Sequence, residues 1–97
     1  MPYSEMPENV RNAYDRVYSL ANDWTGGAKV CEDFLFAWYN VRAWGGWAPQ
    51  SITELDRENA AAVLILLSSI HQWTWYPDSA DMDRLAKRKG REPLSRE

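Results

Sequence analysis

The sequence predicts an all-α fold, a compact bundle of three main helices with a short fourth helix laid across it. Apolar residues recur at spacings of three and four, and no segment alternates apolar and polar residues as a half-buried strand does. Glycine and proline separate the periodic segments at short intervals, so neighbouring helices should be antiparallel. With 97 residues, the chain can bury one core without a metal or a disulfide.

The first helix is predicted from about Pro7 to Asp23. Pro7 suits a first-turn position, and Thr25-Gly26-Gly27 ends the element. Its apolar residues recur with helical spacing and should form one buried stripe. That stripe contains Val10, Ala13, Tyr14, Val17, Leu20, Ala21 and Trp24.

The second helix is predicted to begin near Gly27 or Ala28 and to end at about Arg42, before a Gly45-Gly46 stop. Its expected inward residues are Val30, Cys31, Phe34, Leu35, Trp38 and Val41. Phe36 and Tyr39 fall on another side. Because more than half of the circumference is apolar, this helix is either central in the bundle or exposes an aromatic face to a partner.

The third helix has two possible caps. Ser51 and Glu54 match a capping box, but we favour Asp56 as the cap of the main helix, with a short turn before it. The helix should run from Arg57 to about Trp73 and should end at Tyr76-Pro77. Its predicted inward residues are Ala61, Val63, Leu64, Leu67, Ile70 and either Trp73 or Thr74.

The fourth helix is predicted to start at Asp78 or Ser79 and to close at Gly90. Met82, Leu85 and Ala86 should face the core. The basic run Lys87-Arg88-Lys89 complements the negative end of the helix dipole. We therefore expect one helical domain over residues 1–90 and a loose basic tail over residues 91–97.

The composition favours a cytosolic, soluble protein with no membrane segment. Cys31 is the sole cysteine, so no intramolecular disulfide can form. The amino terminus lacks a basic region followed by an apolar one, as a signal peptide would have. The longest apolar run, Ala60 to Leu67, is less than half of the roughly 20 residues that a membrane span needs.

Charge is divided unevenly along the chain. Residues 1–83 contain five basic and twelve acidic residues, whereas residues 84–97 contain six basic and two acidic residues. The acidic body argues against direct binding to nucleic acid, including by a helix-turn-helix, because phosphate contacts require cations. A positively charged partner surface fits better, although the charge could serve solubility alone.

The sequence shows no arrangement of residues that is typical of a catalytic site or of a cofactor site. One His, His71, and one Cys cannot supply the three or four ligands of a zinc site. Glu54, Asp56 and Glu58 are close in sequence, but their spacing does not match a calcium loop. No nucleophile has a recognisable arrangement with His71. We therefore predict a non-enzymatic protein without metal or cofactor.

Tryptophans at the predicted helix ends leave two possibilities open. Trp44, Trp47, Trp73 and Trp75 can form a small aromatic core between loops, or they can form a patch that binds a partner. The two possibilities overlap because interface hot spots are rich in Trp and Tyr.

Three motifs resemble a family of small helical proteins carried on phages, plasmids and integrative elements of proteobacteria. These motifs are Asp33-Phe34-Leu35-Phe36-Ala37-Trp38-Tyr39-Asn40, Trp44-Gly45-Gly46-Trp47 and Tyr76-Pro77-Asp78. The similarity covers about Ala13 to Asp78. Tyr39 stands where the family tends to have a second Trp, and the basic tail has no counterpart that aligns.

This resemblance implies an inhibitor of bacterial immunity, an anti-CRISPR protein in particular. The expected partner is a CRISPR effector subunit, whose basic DNA-binding cleft the acidic surface would occupy in place of DNA. The expected partner-binding residues are Glu54, Asp56, Glu58, Asp78, Asp81, Trp47 and Trp75. The alternative is a small structural or regulatory module that dimerises through aromatic residues, so both a monomer and a homodimer remain open.

Overall fold

The computed structural model describes residues 3–70 and 76–94, and within these ranges it is all-helical with no strand. The four α-helices are α1 (Glu8–Ala21), α2 (Gly26–Trp44), α3 (Arg57–Ile70) and α4 (Ser79–Lys89). Short 3₁₀ segments occupy Tyr3–Glu5 and Pro49–Glu54. No helix among the described residues combines the length and the apolar character that a bilayer crossing requires. The predicted helical bundle is confirmed.

Helix α1 packs against both α2 and α3 and is the centre of the bundle. Helix α4 lies beside α1 and runs in the same direction. Tyr14 of α1 contacts Asp81 near the start of α4, and Asn22, which follows α1, contacts Arg88 near the end of α4. The radius of gyration of 12.6 Å matches the roughly 12.5 Å expected for one compact domain of this length.

All four helices contribute to one hydrophobic core. Its largest fully buried side chains are Phe36, Leu35, Leu66, Met82, Leu85, Val17, Val63 and Cys31. Phe36 is fully buried, so it does not contribute to an exposed aromatic face on α2. The tryptophans that follow it pack onto this core: the ring centroid of Trp44 lies 4.5 Å from that of Phe36.

The predicted helix ends agree with the structure where a capping residue marks them. Asp56 caps α3, since its Oδ1 accepts a hydrogen bond from the Asn59 amide at 2.9 Å. Asp78 caps α4 in the same way through the Asp81 amide at 3.3 Å. Gly45 (φ +94°) and Gly90 (φ +64°) end α2 and α4 in the left-handed region, as the glycine pattern predicts.

The predicted burial of Trp24 is wrong, because this side chain is 69% exposed. Helix α1 ends at Ala21, so the helical spacing that places Trp24 on the buried stripe no longer applies three residues later. Its ring instead contacts the basic end of α4, with Lys89 Nζ 3.9 Å and Arg88 Cζ 5.8 Å from the ring centroid.

The predicted inward face of α3 is also wrong in part. Val63 is buried as expected, but Ala61, Leu64 and Leu67 are exposed. The buried residues are Ala62, Val63, Leu66 and Ser69. Because α3 is apolar around most of its circumference, the sequence pattern does not determine which stripe packs against α1. The predicted continuation to Trp73 or Thr74 lies outside the described residues.

Residues 91–94 are not the loose tail that the sequence predicts. Arg91 forms ion pairs with Glu32 and Asp33 of α2, each at 2.8 Å, and its side chain is only 16% exposed. The Leu94 amide donates a hydrogen bond to the carbonyl of Ala43. This segment therefore lies against the end of α2, and the basic charge of Arg91 is used inside the molecule.

Candidate protein-binding site

An apolar groove of about 350 Å³ lies between α2 and α3. Both helices and the loop after α2 contribute to it. The lining residues are Phe34, Ala37, Trp38, Val41, Gly46, Trp47, Leu67 and Ile70. We call this feature the α2–α3 groove.

A break in α2 gives the groove its shape. Asn40 has extended backbone angles (φ −166°, ψ 92°), so the helix is interrupted and then restarts for one turn up to Trp44. Asn40 Oδ1 accepts a hydrogen bond from the Ala43 amide at 3.2 Å, which is the contact of an N-cap residue. Because the break changes the helical phase, Val41 is 54% exposed instead of buried as predicted.

The floor of the groove is aromatic. The ring of Phe34 lies 5.9 Å from Trp38 and 5.0 Å from Trp47, the latter edge to face. Trp47 Nε1 is buried and has no acceptor among the residues that the structure describes. A buried indole N–H without an acceptor is unfavourable in free energy.

Apolar side chains at the groove are accessible to solvent. Val41 from α2 and Leu67 from α3, which is 38% exposed, form its open sides. Leu64 lies one turn earlier on α3 and is 55% exposed. The segments that line the groove contain few charged residues. Arg42 is the single charged residue in residues 34–53, and residues 59–70 contain none. An uncharged, open apolar groove suits an apolar partner.

The predicted acidic residues near α3 are at the surface. Glu54 ends the second 3₁₀ segment, Asp56 caps α3, and Glu58 forms an ion pair with Arg16 at 2.7 Å. The Arg16–Glu58 pair is well exposed to solvent, so it contributes at most about 1 kcal/mol. These three residues follow one another at the start of α3.

The predicted acidic residues of α4 lie on another side of α1. Asp81 accepts a hydrogen bond from Tyr14 at 3.0 Å, whereas Glu58 contacts Arg16, and residues two apart on a helix do not share a face. Asp78 is the cap of α4, and Asp81 also pairs with Arg84. The structure therefore divides the predicted acidic set into two groups.

Tyr14 and Tyr18 are attached to the start of α4 through Asp81. The Tyr14 hydroxyl donates to the Asp81 carboxylate, and the Tyr18 hydroxyl donates to the Asp81 carbonyl, both at 3.0 Å. Burial, followed by the negative charge of Asp81, raises the pKa of Tyr14. Tyr14 is thus a neutral hydrogen-bond donor at physiological pH, and Asp81 has a structural role.

Of the two tryptophans predicted to bind a partner, Trp47 lines the groove and Trp75 lies outside the described residues. Trp73 and His71 also lie outside them. Trp44 and Trp47 are partly buried against the core, so both contribute to packing, while Trp47 also faces the groove. Trp44 therefore packs against the core, whereas Trp47 both packs against the core and lines the groove.

The described residues contain no cluster of metal-ligating side chains. No group of three His, Cys, Asp or Glu side chains within residues 3–70 and 76–94 could hold a metal ion. Burial raises the pKa of the Cys31 thiol to about 11, so a reactive thiolate is not available at neutral pH.

Of the residues that line the groove, the sequence pattern indicates Trp47 as a candidate for partner binding, whereas it places Val41 and Leu67 in the core. Asn40 is the signal that could have identified Val41, because Asn inside an apolar helical pattern is a common N-cap and an unusual mid-helix residue. Leu67 has no comparable signal. Its exposure depends on which side of α3 faces α1, and this is decided by three-dimensional packing.

Two results come from comparison with other proteins. The model of a family of unknown function, DUF7673, matches residues 11–91, which is most of the chain. No curated protein and no solved structure matches the chain.

Proposed function

The chain belongs to the DUF7673 family of unknown function, and we propose that it is a non-enzymatic binding protein that docks an apolar helix of another protein in the α2–α3 groove. The observation that carries this proposal is the exposure of Val41 and Leu67 on the two sides of one groove. Apolar residues cost free energy when left in water, and a partner helix would remove them from it. Trp47 would be the aromatic anchor at the centre.

The acidic surface supports a second part of the same proposal. Glu54 and Glu58 are exposed at the start of α3, and Asp83 is exposed on α4. Charges at the rim of an interface mainly accelerate association, while buried anchors slow dissociation. A partner with a basic surface beside its docking helix would therefore be captured quickly and held by the groove.

For the partner, we propose a CRISPR effector subunit with a basic DNA-binding cleft in the bacterial cytoplasm. The support is the resemblance to proteins of mobile elements, together with the acidic balance of residues 1–83. On this proposal the protein is an anti-CRISPR protein, and its acidic groups take the place of DNA phosphates.

Binding to purified effector complexes, measured by biolayer interferometry, tests the groove. We expect Val41→Glu and Leu67→Glu each to weaken binding by about tenfold or more, because a buried unpaired carboxylate is unfavourable. Leu64→Glu is the matched control, since this exposed leucine of α3 is not among the lining residues. Equal losses in all three variants, or none, would contradict docking in the groove.

Charge reversal tests the acidic part separately. Asp56 and Asp78 cap helices and Asp81 binds Tyr14, so their replacement would also alter folding. The informative variant is therefore Glu54→Lys with Glu58→Lys. It should slow association at low salt and leave dissociation nearly unchanged. Unchanged association and intact inhibition of DNA binding by the effector would remove the electrostatic proposal.

A homodimer is the second candidate, and the exposed leucines Leu64 and Leu67 favour it. Two copies could pair their α3 surfaces about a twofold axis. Sedimentation velocity over a hundredfold range of concentration distinguishes the candidates. A sedimentation coefficient that does not change with concentration would exclude self-association as the function of this surface.

A further inference from the structure

The segment after α4 crosses the end of α2 on the way to Leu94. Gly90 closes α4, and the Arg91 amide donates to the Ala86 carbonyl at 2.9 Å, which is the hydrogen bond of a Schellman motif. The end of α4 therefore fixes the position from which the Arg91 side chain extends. We call residues 91–94 the C-terminal strap.

Arg91 is the main contact of the strap with α2. Its guanidinium contacts the carboxylates of Glu32 and Asp33, each at 2.8 Å, and its Cζ lies 4.6 Å from the Phe36 ring centroid. The Glu32 side chain is only 8% exposed. Arg91 is the nearer of its two cations, since Lys29 Nζ lies 4.0 Å away, so removing Arg91 would leave this buried charge less well compensated.

The strap also supplies hydrogen bonds to the last turn of α2. Arg91 Nη2 donates to the Trp44 carbonyl at 3.0 Å, and the Leu94 amide donates to the Ala43 carbonyl. Carbonyls at the end of a helix have no partner within the helix, so another part of the chain must provide donors. The strap satisfies two of them.

This last turn of α2 is also a wall of the groove. It begins after the Asn40 break and carries Val41, and Gly45 connects it to Gly46 and Trp47. Since the break separates the turn from the rest of α2, its position depends on contacts made from outside the helix. The strap provides them on one side, while Phe36 packs against Trp44.

We propose that Arg91 is a positioning residue for the α2–α3 groove, and that the C-terminal strap holds the Val41 wall where a partner helix can dock. This proposal rests on the proposed function for its binding consequence. Its structural part is independent of any partner. Displacement of the strap would loosen the last turn of α2, which carries Val41. The affinity of the groove for its partner would then fall, although the residues that line the groove are unchanged.

Amide hydrogen exchange followed by NMR on the full chain tests the structural part. The reporters are the amides of Ala43 and Gly45, which donate to Asn40 Oδ1 and to the Val41 carbonyl. In Arg91→Met, both should exchange about tenfold faster or more, because hydrogen bonds to a charged group are lost. The Leu66 amide in α3 serves as the reference for global opening.

Arg88→Met is the matched control. Arg88 also lies near the end of α4, but it donates to the Asn22 carbonyl and stacks near Trp24, far along the chain from the groove wall. We expect no change at Ala43 or Gly45 in this variant. If the two variants behave alike, or if Arg91→Met leaves both reporters protected, the strap does not hold the wall.

A second variant guards against loss of folding. Glu32→Gln combined with Arg91→Met removes the buried carboxylate together with its cation, while Asp33 keeps Lys29 at 3.0 Å. The same acceleration at Ala43 and Gly45 is expected. Protected reporters in this folded double variant would overturn the proposal.

Binding experiments separate the two proposals. If the groove binds a partner and the strap positions its wall, Val41→Glu and Arg91→Met both lose affinity, and Arg91→Met alone accelerates exchange. If Arg91→Met accelerates exchange while Val41→Glu binds normally, the proposed docking site is wrong and the strap is still correct. Affinity unchanged in Arg91→Met, with Val41→Glu impaired, would refute the effect of the strap on binding.

Discussion

At the scale of single residues, Asn40 and Cys31 show how position decides what a side chain does. Asn40 lies inside an apolar helical pattern, yet its carboxamide caps a new turn and thereby moves Val41 to the surface. Cys31 is fully buried in the core, where its thiol behaves as a small apolar group. Neither residue takes part in chemistry in the arrangement described here.

Burial of Cys31 should make the free energy of unfolding decrease at alkaline pH. Its pKa is raised by burial from its ordinary value of 9.0 to about 11, so between these values the unfolded thiol loses its proton while the folded thiol keeps it. This contribution to stability is present in full below pH 9 and decreases as the pH rises towards 11, by up to about 1.4 kcal/mol per pH unit. Cys31→Ala lacks this dependence.

Urea unfolding of the wild type and of Cys31→Ala at several pH values provides the measurement. At pH 7 the variant should be less stable by about 1 kcal/mol, because a buried sulfur is removed. As the pH rises from 9 to about 11, that difference should vanish at about pH 10 and reverse in sign above it, because up to about 1.4 kcal/mol is lost per pH unit. A difference that stays constant over this range would show that the thiol does not titrate differently in the folded state. The raised pKa of Tyr14 affects both proteins equally and cancels in the comparison.

At the scale of helices, the sequence predicts those elements best whose apolar and polar faces are clearly divided. Helix α1 has one such stripe, and its buried residues Val10, Ala13, Tyr14 and Val17 are the expected ones. Helix α4 buries Met82 and Leu85 as predicted. In α3 the apolar residues surround the helix, so only its start and its Asp56 cap could be inferred. The groove depends on the orientation of α3 and on the break in α2, and therefore could not be derived from periodicity.

The paired glycines at the end of α2 should respond differently to the same substitution. Gly45 has φ +94°, and a Cβ at this position would lie 3.1 Å from Leu94 Cδ1 in the strap. Gly46 lies outside the left-handed region, and a Cβ there would meet nothing within 4 Å. Gly45→Ala should therefore lower the free energy of unfolding by about 1 kcal/mol or more, whereas Gly46→Ala should change it by less than about 0.5 kcal/mol.

Thermal and urea unfolding of both variants would measure this difference. A comparable loss of stability in the two proteins would indicate that the stop depends on the flexibility of the pair, and that the left-handed conformation of Gly45 is not the deciding feature. The pair thus separates the two roles that glycine can have at a helix end.

At the scale of the whole molecule, one core holds all four helices and charge is separated along the surface. Exposed acidic groups flank the starts of α3 and α4, whereas Lys87, Arg88 and Lys89 end α4 beside the end of α1. Lys89 donates to the Asp23 carbonyl there, which suits the negative end of the α1 dipole. Arg88 and Lys89 are therefore explained by contacts within the molecule, whereas Glu54 and Asp83 are exposed acidic side chains.

Because the core is continuous, the protein should unfold in one cooperative step. We expect the urea transitions followed by far-ultraviolet circular dichroism and by tryptophan fluorescence to superimpose, with a slope of about 1 to 3 kcal/mol per molar urea. A fluorescence transition at lower urea than the dichroism transition would reveal a part of the structure that unfolds first. The strap and the last turn of α2 would then be the first region to examine by hydrogen exchange.

The aromatic floor of the groove also makes the site optically observable. Trp38 and Trp47 line the groove, and the emission of an indole depends on how much water surrounds it. A partner that covers the groove would exclude water and shift this emission to shorter wavelength without any attached dye. With the exposed Trp24 replaced by Phe to reduce the background, the protein becomes its own fluorescent sensor of occupancy.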